Sequence, residues 1–324
     1  MNGSNADPTL WLHRYKLIVS YDGSRFNGLQ RQSSGTTSAS TTDASPSNRK
    51  RRRTDSKPHK KVPLTVQECF EDALEQYPGH SRDILRVRFA GRTDGGVSAR
   101  GQVVAVSLPD SVLANGEELW RIRKNINSRL SDDISVEEVY SLADDPDFDP
   151  RKDAIRKRYS YTLKFRRKIV DNDGKLLPIC TSGPNCIRNA LDPNILWVSP
   201  WILDDSNMKR YCQQLTGEHD YSAFVHKQSR REKDNVLTVE RFTYDCLNET
   251  AEEAPIVTVR FQVEAKGFRR GMIRNLVGFV VDLCRGQLSE SIFDTIWKGT
   301  DEVARSVNSA PPHGLCMEQV SYEH

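Results

Sequence analysis

No run in the 324 residues approaches the roughly 20 consecutive apolar residues that a membrane-spanning helix needs, so a helical membrane protein is excluded. The opening stretch MNGSNADPTLWLHR has neither an apolar h-region nor an Arg-rich amphipathic pattern, and no targeting peptide is expected. Cysteine is present but unpatterned: Cys69, Cys180, Cys186, Cys212, Cys246, Cys284 and Cys316 are odd in number and include no C-x-x-C pair. Reduced thiols inside the cell are expected, and no zinc site. The chain also lacks H-E-x-x-H and the phosphate-binding G-x-x-x-x-G-K-[ST], and Ser98 stands in GVSAR rather than G-x-S-x-G. Its seven histidines show no ligand spacing, so no metal is expected.

A strong charge of one sign is missing too, since the formal net charge is +3. The charge is unevenly placed, however. RKRRRTDSKPHKK (49–61) holds eight Lys or Arg and one Asp, giving +7, so the remainder carries 3 − 7 = −4. Any further polyanion-binding surface must therefore be a local patch.

Several segments read directly as elements. YKLIVSY (15–21) alternates Tyr15, Leu17, Val19 and Tyr21 against Lys16, Ile18 and Ser20, and its aromatic and β-branched content favours a strand. LTVQECFEDALEQY (64–77) places Val66, Phe70, Ala73, Leu74 and Tyr77 at helical spacing behind a Thr65…Glu68 capping box. RVRFA (86–90) and QVVAVSL (102–108) are expected strands, and 116–130 a helix capped by Asn115. RYSYTLKF (158–165) sets Tyr159, Tyr161, Leu163 and Phe165 opposite Ser160, Thr162 and Lys164. A helix is expected over 204–215, a strand over 256–265 and an apolar helix over 271–286 between glycines. Strands and helices without a β-α-β dinucleotide fingerprint indicate the α+β class.

Residues 33–61 join a Ser/Thr-rich stretch to the basic run, a composition that cannot bury enough apolar surface to offset its ordering entropy. A disordered insertion is expected there, serving either as a solvated tail or as a nuclear-import or RNA-attracting patch. DDPDFDPRKDA (144–154), with two prolines and a charge reversal, is the expected domain boundary. The division is then 1–32 with 62–147, the insertion 33–61, and 148–324.

Three constellations stand out. AGRTDGGVSARGQ (90–102) carries Asp94 among glycines between two strands. It reads either as a turn or as a loop whose glycines let a ligand come close. Tyr159 and Tyr161 pack a core or stack on an unstacked base; the cations Arg151, Lys152, Arg156, Lys157, Arg158, Lys164, Arg166, Arg167 and Lys168 around them would suit phosphates. Arg274, inside an apolar helical run, either snorkels or pairs a carboxylate in a closed cleft.

In order along the chain, YDGSRFNGLQRQ, GRTDGGVSARGQVV, RKRYSYTL, GEHDYSAFVHKQSR, GMIRNLVGF and SAPPHGLCMEQVSYE resemble the motifs of the TruA family of tRNA pseudouridine synthases. The resemblance spans nearly the whole chain outside 33–61. It implies two RRM-like α+β domains with mainly antiparallel sheets meeting at a central cleft, and a homodimer. It implies a cofactor-free isomerisation of uridine to pseudouridine in tRNA, at positions 38 to 40 of the anticodon stem-loop. The wording around Ser98 and in SAPPHGL is closer to the eukaryotic branch acting at 38 and 39. A cytoplasmic or nuclear location, or both, is expected, with the basic run 49–53 serving nuclear import in the latter case.

By position, the resemblance makes Asp94 the nucleophile, Tyr159 the ring over the target uracil, Arg274 the aspartate's ionic partner and Leu315 the apolar wall. Arg92 would displace the target base or hold its phosphate, and Arg31, Arg156, Arg158, Arg230 and Arg270 are candidates for RNA contact. Phe268-Arg269-Arg270-Gly271 departs from the family's usual Phe-Leu-x-x at that place. A catalytically silent tRNA-binding chaperone on the same scaffold is the alternative.

Overall fold

A computed structural model describes residues 12–31, 64–77, 79–109, 119–171, 173–176, 187–190, 194–232, 234–247 and 254–323. The expected insertion 33–61 and the expected cap at Asn115 lie outside these residues.

The first half begins with strand β1 (Leu12–Tyr21), which buries Tyr15, Leu17, Val19 and Tyr21 as its alternation requires. Helix α1 (Val66–Gln76) starts at the expected capping box: the Glu68 amide donates to Thr65 Oγ1 at 3.2 Å, and the Thr65 amide to Glu68 Oε2 at 2.9 Å. Strand β2 (Arg88–Phe89) is shorter than its sequence pattern, whereas β3 (Ser98–Pro109) starts earlier than expected and is buried on both faces apart from Arg100. The intervening loop therefore runs from Ala90 to Val97, not to Gly101. Helix α2 (Leu119–Asn127) buries Ile122 and Ile126 against β4 (Ile134–Ser141).

The second half opens with β5 (Ala154–Arg167), longer than its alternating core. Its expected polar face is buried at Ser160 and Thr162, because neighbouring strands flank both edges and Glu318 reaches over to accept from Ser160 Oγ at 2.5 Å. Strand β6 (Trp197–Leu203) follows, then α3 (Met208–Gln214), which begins later than expected because Asp204 caps a turn at Ser206 instead. The hairpin β7 (Gly217–Asp220) and β8 (Val236–Val239) stands apart from the main sheet; β9 (Arg241–Cys246) and β10 (Ile256–Ala265) belong to it. Helix α4 (Met272–Cys284) is almost wholly buried, and β11 (Leu315–Tyr322) closes the fold.

The main sheet runs β4-β1-β3-β11-β5-β10-β9, with β2 on β3 and β6 on β5. All pairings are antiparallel except β11 with β3 and β5 with β6. The architecture is thus α+β with one large, mainly antiparallel sheet. Its last strand is the seam: Cys316 and Met317 lie beside Ser98 and Ala99 of β3, while Leu315 lies opposite Tyr161 of β5. Gly101 permits this approach, since a Cβ there would stand 2.4 Å from the Glu318 carbonyl oxygen. The expected boundary 144–154 falls mainly in the turns between β4 and β5 and reaches the first residue of β5.

Candidate active site

Asp94 heads a tight turn. The Val97 amide donates to the Asp94 carbonyl at 3.1 Å, and Gly96 has a φ of 81°, the left-handed value that a type II turn needs at its third residue. The turn reading and the ligand-approach reading of this loop are therefore compatible. Around the turn, every flank is tied down. Gln102, fully buried on β3, clamps Gly91 by donating Nε2 to its carbonyl at 2.9 Å and accepting its amide on Oε1 at 3.3 Å. Lys157 on β5 donates to the Ala90 carbonyl at 2.7 Å. On the other side the Leu29 amide donates to the Thr93 carbonyl at 3.1 Å, the Gly96 amide donates to the Phe26 carbonyl at 3.3 Å, and Tyr21 meets Thr93 Oγ1 at 2.8 Å. Gly23 fits beneath: a Cβ there would lie 2.0 Å from the Val97 carbonyl oxygen.

Two arginines from the other half of the chain face the Asp94 carboxylate. Arg274 Nη1, from the first turn of α4, lies 3.9 Å from Oδ2, and Arg270 Nε lies 3.7 Å from Oδ1. These are ion-pair distances, longer than hydrogen bonds. The side chains of Asp94, Arg274 and Arg270 are 30%, 21% and 69% exposed. Arg274 is fixed by a reciprocal clamp: its Nε donates to the Ala310 carbonyl at 2.7 Å, and the Ala310 amide donates to the Arg274 carbonyl at 3.0 Å. The segment carrying Ala310 is anchored in turn by Asn308 Nδ2, which donates to the buried Asp282 at 2.8 Å.

Tyr159 is 7% exposed and meets Phe268 edge to face, ring centres 5.4 Å apart. Burial, reinforced by the charges of Tyr21 and Asp94, raises its phenol well above the ordinary value, so at neutral pH it is a hydroxyl. Leu315 is buried at the start of β11. The residues before it pack between the two halves: Tyr161 donates to the Pro311 carbonyl at 2.8 Å, and a Cβ on Gly96 would touch Pro312 at 3.0 Å. His313 is kept below its ordinary pKa by partial burial and then by the charge of Arg274.

The structure thus brings Asp94, Arg270 and Arg274 together, with Tyr159 electrostatically coupled to the aspartate. Arg92 is exposed and makes no ion pair with any described residue. The remaining candidates have protein partners: Arg31 with Glu71 at 2.7 Å, Arg156 with Glu240 at 2.6 Å, and Arg158 with Gln319. Arg230 is 14% exposed, its guanidinium donating to the Ser222 and Val225 carbonyls and pairing Asp301 at 2.5 Å. Sequence reasoning assigned no role to Gln102 or His313, and placed Lys157 among the cations suited to phosphates, whereas its ammonium holds the Ala90 carbonyl. Gln102 closes the GRTD…GQ segment, and that placement was the available signal.

A family model described as tRNA pseudouridine synthase matches residues 211–323. The chain is 30% identical to tRNA pseudouridine synthase A of Pseudothermotoga lettingae, over 96% of this chain and 100% of that protein. It is 30% identical to the protein of the same name from Streptomyces avermitilis, over 95% and 88%. To that of Thermosipho africanus it is 31% identical, over 80% and 90%. These relatives cover four fifths or more of the chain, and the chain belongs to the TruA-type family of tRNA pseudouridine synthases, which are isomerases.

Proposed function

We propose that this chain converts uridine to pseudouridine in the anticodon stem-loop of tRNA, at positions 38 to 40 and chiefly 38 and 39, with Asp94 as the nucleophile. The observation that carries the reading is a lone carboxylate on a rigid glycine turn, paired by two arginines from the other half of the chain. The preference for 38 and 39 rests on the resemblance around Ser98 and in SAPPHGL. The halves 1–32 with 62–147 and 148–324 act as two domains, and the family resemblance supports a homodimer, which sedimentation would measure.

Isomerisation detaches uracil from ribose C1′, turns it and rejoins it through C5, with nothing added or lost. A carboxylate suffices, either adding to uracil C6 or ribose C1′ or abstracting the C2′ proton. Arg274, immobilised on Ala310, keeps a positive charge beside Asp94 when a bound base excludes water. The target must leave its stack, which typically costs a few kcal/mol, and the ring of Tyr159 with the wall at Leu315 receives it. Burial keeps Tyr159 a hydrogen-bonding hydroxyl in the free protein, and the C5 proton is removed by Asp94 or by Tyr159. Arg92, without an ion-pair partner among the described residues, faces the RNA, and Arg31, Arg156, Arg158 and Arg230 would reach it by releasing their present partners.

Asp94→Asn should abolish pseudouridine formation while tRNA binding persists. Pseudouridine made at the wild-type rate by that variant would sink the nucleophile assignment, and a wild-type protein that binds tRNA without isomerising it would favour the chaperone alternative. Mapping pseudouridine by position in total tRNA, with and without the protein, tests 38 to 40.

A further inference from the structure

The two arginines on Asp94 are held in opposite ways. Arg274 is mostly covered and locked through both its backbone and its Nε. Arg270 is 69% exposed, and its side chain reaches only the Asp94 carboxylate among the described residues. Gly271 between them has a φ of 74°, so the chain turns sharply before α4 and brings residues 270 and 274 to the same carboxylate. The segment 266–274 holds four cations and no carboxylate, and Arg269 is turned away, donating Nη2 to the Asp234 carbonyl at 2.6 Å.

A solvent-exposed ion pair is weak, whereas a guanidinium on a phosphate makes charge-assisted, often bidentate, hydrogen bonds. RNA entering the cleft also brings phosphates towards the like charge of Asp94. A cation that neutralises the carboxylate in the free protein and moves to phosphate in the complex relieves both conflicts.

We propose that Arg270 is a substrate-exchanged counterion: it pairs with Asp94 in the free protein and passes to a phosphate of the bound RNA, leaving Asp94 to Arg274. This positioning role rests on the reading of Asp94 as the nucleophile. Arg274 cannot play it, because moving its guanidinium would break the bond to Ala310.

The test uses the full-length protein and an unmodified full-length tRNA transcript. Arg270→Gln should raise KM about tenfold and change kcat by less than about threefold, and should flatten the slope of log affinity against log salt by roughly 0.7–0.9, one phosphate contact. Arg270→Lys should recover most of the slope. The penalty of Arg270→Gln on tRNA affinity should be larger in an Asp94→Asn background, where no carboxylate competes for the guanidinium. An unchanged KM and slope, a kcat loss as deep as that of Asp94→Asn, or equal penalties in the two backgrounds would each overturn the exchange. Wild-type turnover by Asp94→Asn alone is a separate result, which removes the nucleophile reading and leaves the binding measurement on Arg270 intact.

Discussion

Asp94 owes its position to residues that never touch its carboxylate. Gln102 satisfies both backbone groups of Gly91, and Lys157 fixes Ala90, so the loop enters the turn at one place only. Replacing Gln102 by Met preserves volume but strands the partly buried amide and carbonyl of Gly91, which should lower stability by about 1–3 kcal/mol in urea unfolding. The single-turnover rate should fall roughly tenfold to a hundredfold as the turn drifts. A variant of wild-type rate would show that the clamp does not position Asp94. Asp94 was legible in the sequence because an Arg, a Thr and two glycines around a carboxylate form an unusual pattern. The work of Gln102 was not, because its partners are backbone atoms of another segment, which carry no side-chain signature. Arg270 was read as a candidate for RNA contact, but its pairing with Asp94 escaped for a related reason: the left-handed turn at Gly271 is what aims it at the aspartate.

At the scale of elements, α4 does more than bury apolar surface. Gly278 lets the 308–310 segment lie directly on the helix: a Cβ there would stand 1.9 Å from the Asn308 carbonyl oxygen and 2.9 Å from the Ala310 amide. Since Ala310 holds Arg274, Gly278→Ala should displace that arginine as well as overpack the core. Stability should drop by about 1–3 kcal/mol, and kcat should fall more than KM rises, read from unfolding and steady-state kinetics. Unchanged kcat in a folded variant would separate the helix packing from the site. The bounds of β10 and the cap of α1 follow the sequence pattern because short-range alternation and a local hydrogen-bonded cap set them. The early start of β3 does not: β11 extends it by pairing at Ser98 and Ala99, residues that on their own read as loop.

Across the whole molecule, the site depends on one continuous sheet whose last strand joins both halves, with Arg100 on β3 pairing Glu318 on β11 at 2.8 Å. Burial at this junction has a consequence at high pH. Tyr21, fully enclosed beside Thr93 and Gln102, has its phenol pushed up to about 12 by burial. Between pH 10 and 12 the unfolded chain loses this proton and the folded one keeps it, so stability is complete below pH 10 and falls above it, on the order of 2–3 kcal/mol for this group. Tyr21→Phe should be the less stable protein at pH 8, for want of the Thr93 hydrogen bond, and lose less than wild type between pH 9 and 11 in urea unfolding. Parallel pH profiles would contradict this. Deleting 33–61 should preserve kcat and flatten the salt dependence of tRNA binding if the basic run neutralises phosphates; an unchanged slope would assign it to a solvated tail. By itself the sequence determined the α+β class, the periodic elements and the motif order naming the family, because these depend on neighbours a few residues apart. Only the tertiary structure decided that β11 seams the halves, that Gln102 and Lys157 hold the loop and that two arginines, one mostly covered and one exposed, share Asp94. Those relations join side chains and backbone groups far apart in the chain, and no local pattern encodes such distances.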